Sequence, residues 1–254
     1  MINEHLRSRF SSLAWAKKEV IRTPVTIVGA GGIGSWTALF LARVGYTNIT
    51  VYDDDIVEAH NIGGQLFSTD AIGQSKVEAL NSIVKQLADI HINPMQIRFE
   101  KQYNLSDNII ISAVDNMTTR KILFNKFVNQ LKPTYGFPEE PYELYSPLPK
   151  IPKLFVDGRL LAEQYQVFFV TDELERIEKY KASLFGEHEA ETEDCSNKQT
   201  THFAAAIAFN IVRGINNYMN LLVQPHCCRE FPFSIEDDGF LWFNKLELMK
   251  YAEI

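Results

Sequence analysis

Cysteine is scarce in this 254-residue chain: Cys195, Cys227 and Cys228 are all it has. Three thiols make no even disulfide framework, and no pair of CxxC motifs is present to hold zinc, so no structural metal is expected. His226 beside Cys227 and Cys228 invites a metal reading, yet three adjacent side chains do not easily converge on one ion, and buried thiols are the expectation. Long apolar runs are missing too, since no charge-free stretch is long enough to cross a bilayer. The first residues, Met1-Ile-Asn-Glu-His-Leu-Arg-Ser-Arg-Phe10, lack the apolar core of a secretory signal, which makes a cytoplasmic, membrane-free location the expectation. Positive charge is in deficit. With 25 Lys and Arg against 32 Asp and Glu the net charge is −7, which argues against general nucleic-acid binding and favours small molecules or proteins as partners.

What is present suffices for one large core, at 46% hydrophobic residues. The chain is organised around Val25-Thr-Ile-Val-Gly29-Ala-Gly31-Gly32-Ile33-Gly34. Val25 to Val28 have the branched side chains of a strand buried on both faces. Gly29, Gly31 and Gly34 then permit a tight turn, close approach of backbone to a phosphate, and close packing of helix on strand. The free amides from about Gly32 onward point at an anion.

Along the chain, residues 2 to 20 read as an amphipathic leader helix or arm, and Ile33 to Val44 as a helix stopped by Gly45. Asn48 to Tyr52 is a strand running into Asp53, Asp54 and Asp55, at the edge where parallel sheets bind ligands. Asp53 stands about twenty residues past the glycines, where an acid usually takes ribose hydroxyls. Asp54 and Glu58 read as loop solubility, and His60 as a surface histidine. Ile72 to Leu80 open a helix that runs to about Ile90, then strands follow at 95–100 and 108–113, the second ending in Asp115-Asn116. The helix from Met117 to Leu131 carries Arg120 in its first turn, a poor place for a cation unless an acid or phosphate lies near. Six prolines in 132–153 predict a long loop. Leu154 to Asp157 is a strand with Arg159 on the turn after it, and Tyr165 to Thr171 another strand. A short helix at 174–184 leads into an acidic crossing loop that delivers Cys195. Residues 203–222 form a buried helix that packs on the sheet or on another subunit, and 231–235 with 240–243 form a hairpin turning at Glu236-Asp-Asp-Gly239. The fold class is α/β, a Rossmann-like, mainly parallel sheet with helices on both faces. Its divisions are an arm (1–22), a nucleotide-binding domain (23–171), the crossing loop (172–199), and a helix and hairpin packed on the same domain (200–254).

The motifs Gly29-Ala-Gly-Gly-Ile-Gly34, Asp53-Asp-Asp55, Asn61-Ile-Gly-Gly-Gln65, Gly73-Gln-Ser-Lys76 and Asp115-Asn116 with Arg120 stand in an order and spacing that resembles the ThiF/MoeB/ubiquitin-activating superfamily over roughly residues 23–170. Gly158 to Val167, with Glu163 and Gln166, is similar to a further run of that family. The resemblance implies an adenylyltransferase that activates the C-terminal carboxylate of a ubiquitin-like or sulfur-carrier protein with ATP and Mg2+, working as a homodimer. It implies that Gly29, Gly31, Gly32, Gly34, Asp53, Asp55, Asn61, Gln65, Lys76 and Asn116 bind the nucleotide. Asp115 would hold magnesium, and Lys76 would meet the charge that develops as two anions are brought together.

One position departs from the family pattern, which has an arginine against the triphosphate where this chain has Gly64. Losing such a contact costs on the order of 10²- to 10³-fold in rate, so another arginine is needed or activity is reduced. Arg159 is the first candidate, with Arg7 and Arg9 as alternatives. Cys195, followed by Thr200, Thr201 and a long helix, is laid out like the thioester cysteine of ubiquitin-type activating enzymes; Lys198 and the helix start would favour its thiolate. Alternatives are a tRNA- or peptide-modifying member of the superfamily, a catalytically reduced partner subunit, and an NAD-dependent oxidoreductase, which would leave Lys76 and Asp115 without a role.

Overall fold

The structure, a computed structural model, describes residues 18–103, 105, 108–131, 153–161, 164–186, 201–223 and 231–238. Most of the predicted leader arm, the proline-rich loop, Cys195 in its crossing loop, and Cys227 with Cys228 lie outside the described residues. Among the described residues, no helix is long and apolar enough to cross a membrane.

The chain begins with a short helix α1 (Lys18–Ile21) and enters β1 (Val25–Val28), every residue of which is buried. There follow α2 (Gly32–Val44), β2 (Ile49–Tyr52), α3 (Lys76–Ala88), β3 (Asn93–Met95), β4 (Ile109–Ser112), α4 (Met117–Leu131), β5 (Leu154–Leu161), β6 (Gln164–Val170), α5 (Leu174–Ala182), α6 (Thr201–Val223) and β7 (Ser234–Asp238). The strands make one seven-stranded sheet in the order β3-β2-β1-β4-β5-β6-β7. The first five in that order pair in parallel, while β6 and β7 are antiparallel additions. β1 and β4 are buried at every position, Thr26 and Ser112 included, because helices cover both their faces. On one face Ile27 and Val51 pack with Leu41 of α2, Leu80 of α3 and Ile211 of α6; on the other Val28 and Ile110 pack with Phe124 of α4 and Tyr180 of α5. This is the expected two-faced α/β architecture.

Three local expectations are corrected. The strand expected at 95–100 lies at Asn93–Met95, because its parallel partner β2 ends at Tyr52 and offers no ladder beyond Met95. The chain then turns through the Ile97 amide donating to the Met95 carbonyl, and Phe99 packs edge-on against Tyr52 at 5.4 Å. Arg159 is inside β5 rather than on a turn after it, since β5 and β6 stay paired out to Leu161 and Gln164. Glu236, Asp237 and Asp238 were expected in a hairpin turn. They belong to β7, with Asp237 opposite Tyr165 and Asp238 opposite Gln164, and the expected second arm at 240–243 lies outside the described residues.

Candidate nucleotide site

The carboxyl ends of β1, β2 and β4 open onto one cavity of about 1590 Å3. Its floor is the glycine turn. Gly29 has φ +98°, in the left-handed region that favours glycine, and a Cβ there would lie 2.4 Å from the Ala113 carbonyl oxygen. A Cβ on Gly34 would lie 1.8 Å from the Gly29 carbonyl oxygen, so only glycine lets α2 sit this close to β1. The residue before α2 is Gly31, which has no side chain to cap the helix, and the first amides are left for a ligand.

The acids after β2 divide their work. The Asp53 carboxylate accepts from the Ala30 amide at 2.6 Å and from the Asp55 amide at 2.9 Å, so it ties the glycine turn to the end of the neighbouring strand. Burial raises its pKa above the ordinary carboxylate range, opposed by those two amides and by Lys76. Asp54 is exposed, and His60 pairs with Glu58 at 3.1 Å; Asp54 and His60 both line the cavity as well, a place the solubility reading of that loop does not give them. Asp55 reaches Lys76, whose Nζ lies 2.7 Å from Asp55 Oδ2. Lys76 is placed by backbone: its amide donates to the Asp55 carbonyl, and the Val57 amide donates to the Gln74 carbonyl, lacing the start of α3 to the strand end.

Asn61 is buried and its side-chain oxygen accepts from the Glu58 amide, shaping the loop that carries Gly64 and Gln65. Gln65 Oε1 is buried with no partner among the described residues. Its amide group stands beside Gly31, 3.9 Å from where a Cβ would be. At the start of α6, Thr201 donates a hydroxyl hydrogen bond to the Gly63 carbonyl. Asp115 is exposed at the end of β4, with Asn116 Nδ2 3.3 Å away, while Asn116 Oδ1 accepts from the Thr119 amide and caps α4.

Arg120 has the acid that its position demanded. Its Nε donates to Asp157 Oδ1 at 2.8 Å and its Nη2 to the Val114 carbonyl at 2.7 Å. Arg159 also lines the cavity, but its Nε donates to Asp157 Oδ2 at 2.7 Å and its two amino groups donate to Ser183. Asp157, Tyr180 and Ser183 were not singled out from the sequence. The one visible signal was an acid ending the apolar run Leu154-Phe-Val. Arg98, also overlooked, lines the cavity as well, and among the described residues its guanidinium has no hydrogen-bond or ion-pair partner.

The site therefore gathers Gly29, Gly31, Gly32, Asp53, Asp55, Asn61, Gln65, Lys76, Asp115, Asn116 and Arg159 around one cavity. Gly34 packs beneath the turn instead of lining it, and Cys195 lies outside the described residues. The model of the ThiF family matches residues 10–224 of this sequence. The chain belongs to the ThiF family. Among curated relatives, the SAMP-activating enzyme E1 of Haloferax volcanii is 32% identical over 110 residues, which cover 41% of each chain. The adenylyltransferase and sulfurtransferase MOCS3 of Aedes aegypti is 36% identical over 118 residues, 44% of this chain and 27% of that protein. The matched segments thus span less than half the length of either relative. Among solved structures, Escherichia coli tRNA N6-threonylcarbamoyladenosine dehydratase, TcdA, in complex with ATP has a TM-score of 0.62 at 18% identity, covering 89% of this chain and 99% of that one. E. coli MccB with ATP has a TM-score of 0.59 at 15% identity, covering 88% and 66%. These likenesses extend the fold of the ThiF family over nearly the whole chain.

Proposed function

We propose that this ThiF-family chain is an ATP-dependent adenylyltransferase that activates the C-terminal carboxylate of a small ubiquitin-like or sulfur-carrier protein. The observation that carries the reading is the convergence of the glycine turn, Asp53, Asp55, Lys76 and Asp115 on one cavity. That cavity, about 1590 Å3, exceeds the roughly 300–1,000 Å3 of an ordinary small-molecule site, which suits a nucleotide together with the tail of a second substrate. The reading is supported by the similarity to a SAMP-activating enzyme and to an adenylyltransferase and sulfurtransferase.

In this reading the amides of the turn and α2 hold phosphate oxygens, and the acids after β2 hold the ribose. The acceptor carboxylate attacks the α-phosphorus. An acyl-phosphate bond forms, the bond to the β-phosphate oxygen breaks, and pyrophosphate leaves. Lys76 faces the charge that develops, released in part from Asp55 as phosphate replaces that partner. Asp115, an exposed hard oxygen donor with no cation beside it among the described residues, fits a magnesium ion, which when bound would neutralise phosphate charge. Arg159 is the proposed stand-in for the arginine absent at Gly64. Cys195, six positions before Thr201, is the proposed acceptor of the acyl group as a thioester, with AMP leaving. The active unit is proposed to be a homodimer.

The test is ATP–pyrophosphate exchange. Label passing from pyrophosphate into ATP only when one small carrier protein is present supports the reading, and no exchange with any carrier ends it. If Cys195→Ser retains exchange but gives no thiol-reducible conjugate, the thioester step stands; unchanged conjugation removes it. Gly64 favours a second reading, a partner subunit of reduced activity, for which ATP binds but exchange requires another ThiF-type chain.

A further inference from the structure

We propose that Asp157 is a positioning residue that sets two parts of the site at once, the loop bearing Asp115 and the cavity-lining guanidinium of Arg159. The inference rests on the adenylation reading above for its kinetic arm only. Asp157 is fully buried on β5, yet its carboxylate accepts three hydrogen bonds: Arg120 Nε at 2.8 Å on one oxygen, and Arg159 Nε at 2.7 Å and the Tyr180 hydroxyl at 2.9 Å on the other. A buried carboxylate so satisfied is fixed in orientation, because any rotation strands a desolvated charge.

Each arginine carries that orientation outward. Arg120 hands it to the Val114 carbonyl at 2.7 Å, one residue before Asp115, so the strand end that presents Asp115 hangs from β5 through a guanidinium. Arg159 hands it to the cavity wall. Three of its nitrogens are occupied by Asp157 and Ser183, the ring of Phe168 lies 4.5 Å beneath it and that of Tyr180 5.4 Å, and two of the five guanidinium hydrogens are left over. With two guanidiniums on one carboxylate the cluster keeps a surplus positive charge, and both Arg120 and Arg159 line the cavity, Arg159 being the one with its aromatic backing and two spare hydrogens. The Tyr180 hydroxyl closes the arrangement from α5, and Ser183 Oγ, which accepts from Arg159, donates to the Tyr180 carbonyl. Burial holds the Tyr180 pKa far above that of a free phenol, so this hydroxyl stays a donor. The positions of Asp115 and Arg159 are thereby coupled through one carboxylate.

Tyr180→Phe isolates the effect, since it keeps the ring that packs on Phe124 and Phe155 and removes only the donor. Asp157→Asn is the stronger variant. Hydrogen exchange read by mass spectrometry should speed about tenfold in segments 113–117 and 183–186 of Tyr180→Phe, with 109–112 unchanged. Pyrophosphate-exchange turnover should fall about tenfold while the KM for ATP stays within about twofold, the signature of misplaced groups and not of lost binding. Asp157→Asn, where it folds, should move both readouts further. Exchange in both segments at the wild-type rate in Tyr180→Phe overturns the proposal, even if melting drops. Wild-type protein without pyrophosphate exchange overturns the adenylation reading alone, and the hydrogen-exchange result then decides this one.

Discussion

Lys76 and Asp55 form an ion pair of 2.7 Å that is closed at one end and open at the other: the lysine side chain is 9% exposed and the aspartate 64%. A half-open pair contributes little to stability because solvent screens the carboxylate, yet it holds a buried ammonium group at the cavity wall. Lys76→Met should therefore lower pyrophosphate-exchange turnover by about 10²- to 10³-fold while melting shifts only slightly. Turnover within a few-fold of wild type would remove Lys76 from the chemistry.

Two glycines separate packing from backbone strain. Gly34→Ala places a Cβ 1.8 Å from the Gly29 carbonyl oxygen, and should cost about 1–3 kcal/mol and abolish ATP binding. Gly45 has φ +106° with open space around its Cβ position, so Gly45→Ala should cost about 1–2 kcal/mol and leave ATP affinity intact. Thermal unfolding with calorimetric titration of ATP measures both.

In the proposed function Asp53 makes ATP affinity pH-dependent. Burial raises its carboxyl in the fold, so the folded protein binds the proton more tightly than the unfolded chain, and this group's contribution to stability falls as pH rises through the window just above the ordinary carboxylate value. ATP binding needs the ionised carboxylate and moves the opposite way. Affinity titrated from about pH 7 down to about pH 4 should weaken before an ordinary aspartate would protonate. In Asp53→Asn the same series should be weak and flat.

Arg98 is the cavity-lining cation whose charge is uncommitted among the described residues, whereas Lys76, Arg120 and Arg159 each already face a carboxylate. A hydrogen bond to a charged group is worth roughly 1.5–3 kcal/mol, so Arg98→Ala should weaken ATP about tenfold or more with no change in melting. Unchanged affinity by calorimetry would exclude Arg98 from nucleotide binding.

What was legible in the sequence was local. Val25–Val28, the glycine spacing and the Gly45 stop place β1, the turn and α2 without reference to the rest of the chain. Arg120 in a first turn announced a missing acid but not its identity, because Asp157 lies 37 residues away and meets it only through the parallel pairing of β4 with β5. The displaced β3 has the same origin: Ile97 and Phe99 have strand-like character, but the length of β2 decides where the ladder ends. The acids 236–238 looked like a turn because polarity and strand edge are indistinguishable before the register with β6 is known.

The contact between Gly34 and Gly29 leaves no slack at the centre of the site. Any side chain at Gly34 would meet the Gly29 carbonyl, so the glycine pair is what lets the first amides of α2 stand directly over the end of β1. The facing wall is the stretch between Ile56 and Ser75, bridged at its two ends, built of short turns, and tied in between by the Leu66 amide on Ser35 Oγ and the Thr201 hydroxyl on the Gly63 carbonyl. In the proposed function the ThiF-type turn meets the phosphates, and the second substrate enters between that turn and the 56–75 wall.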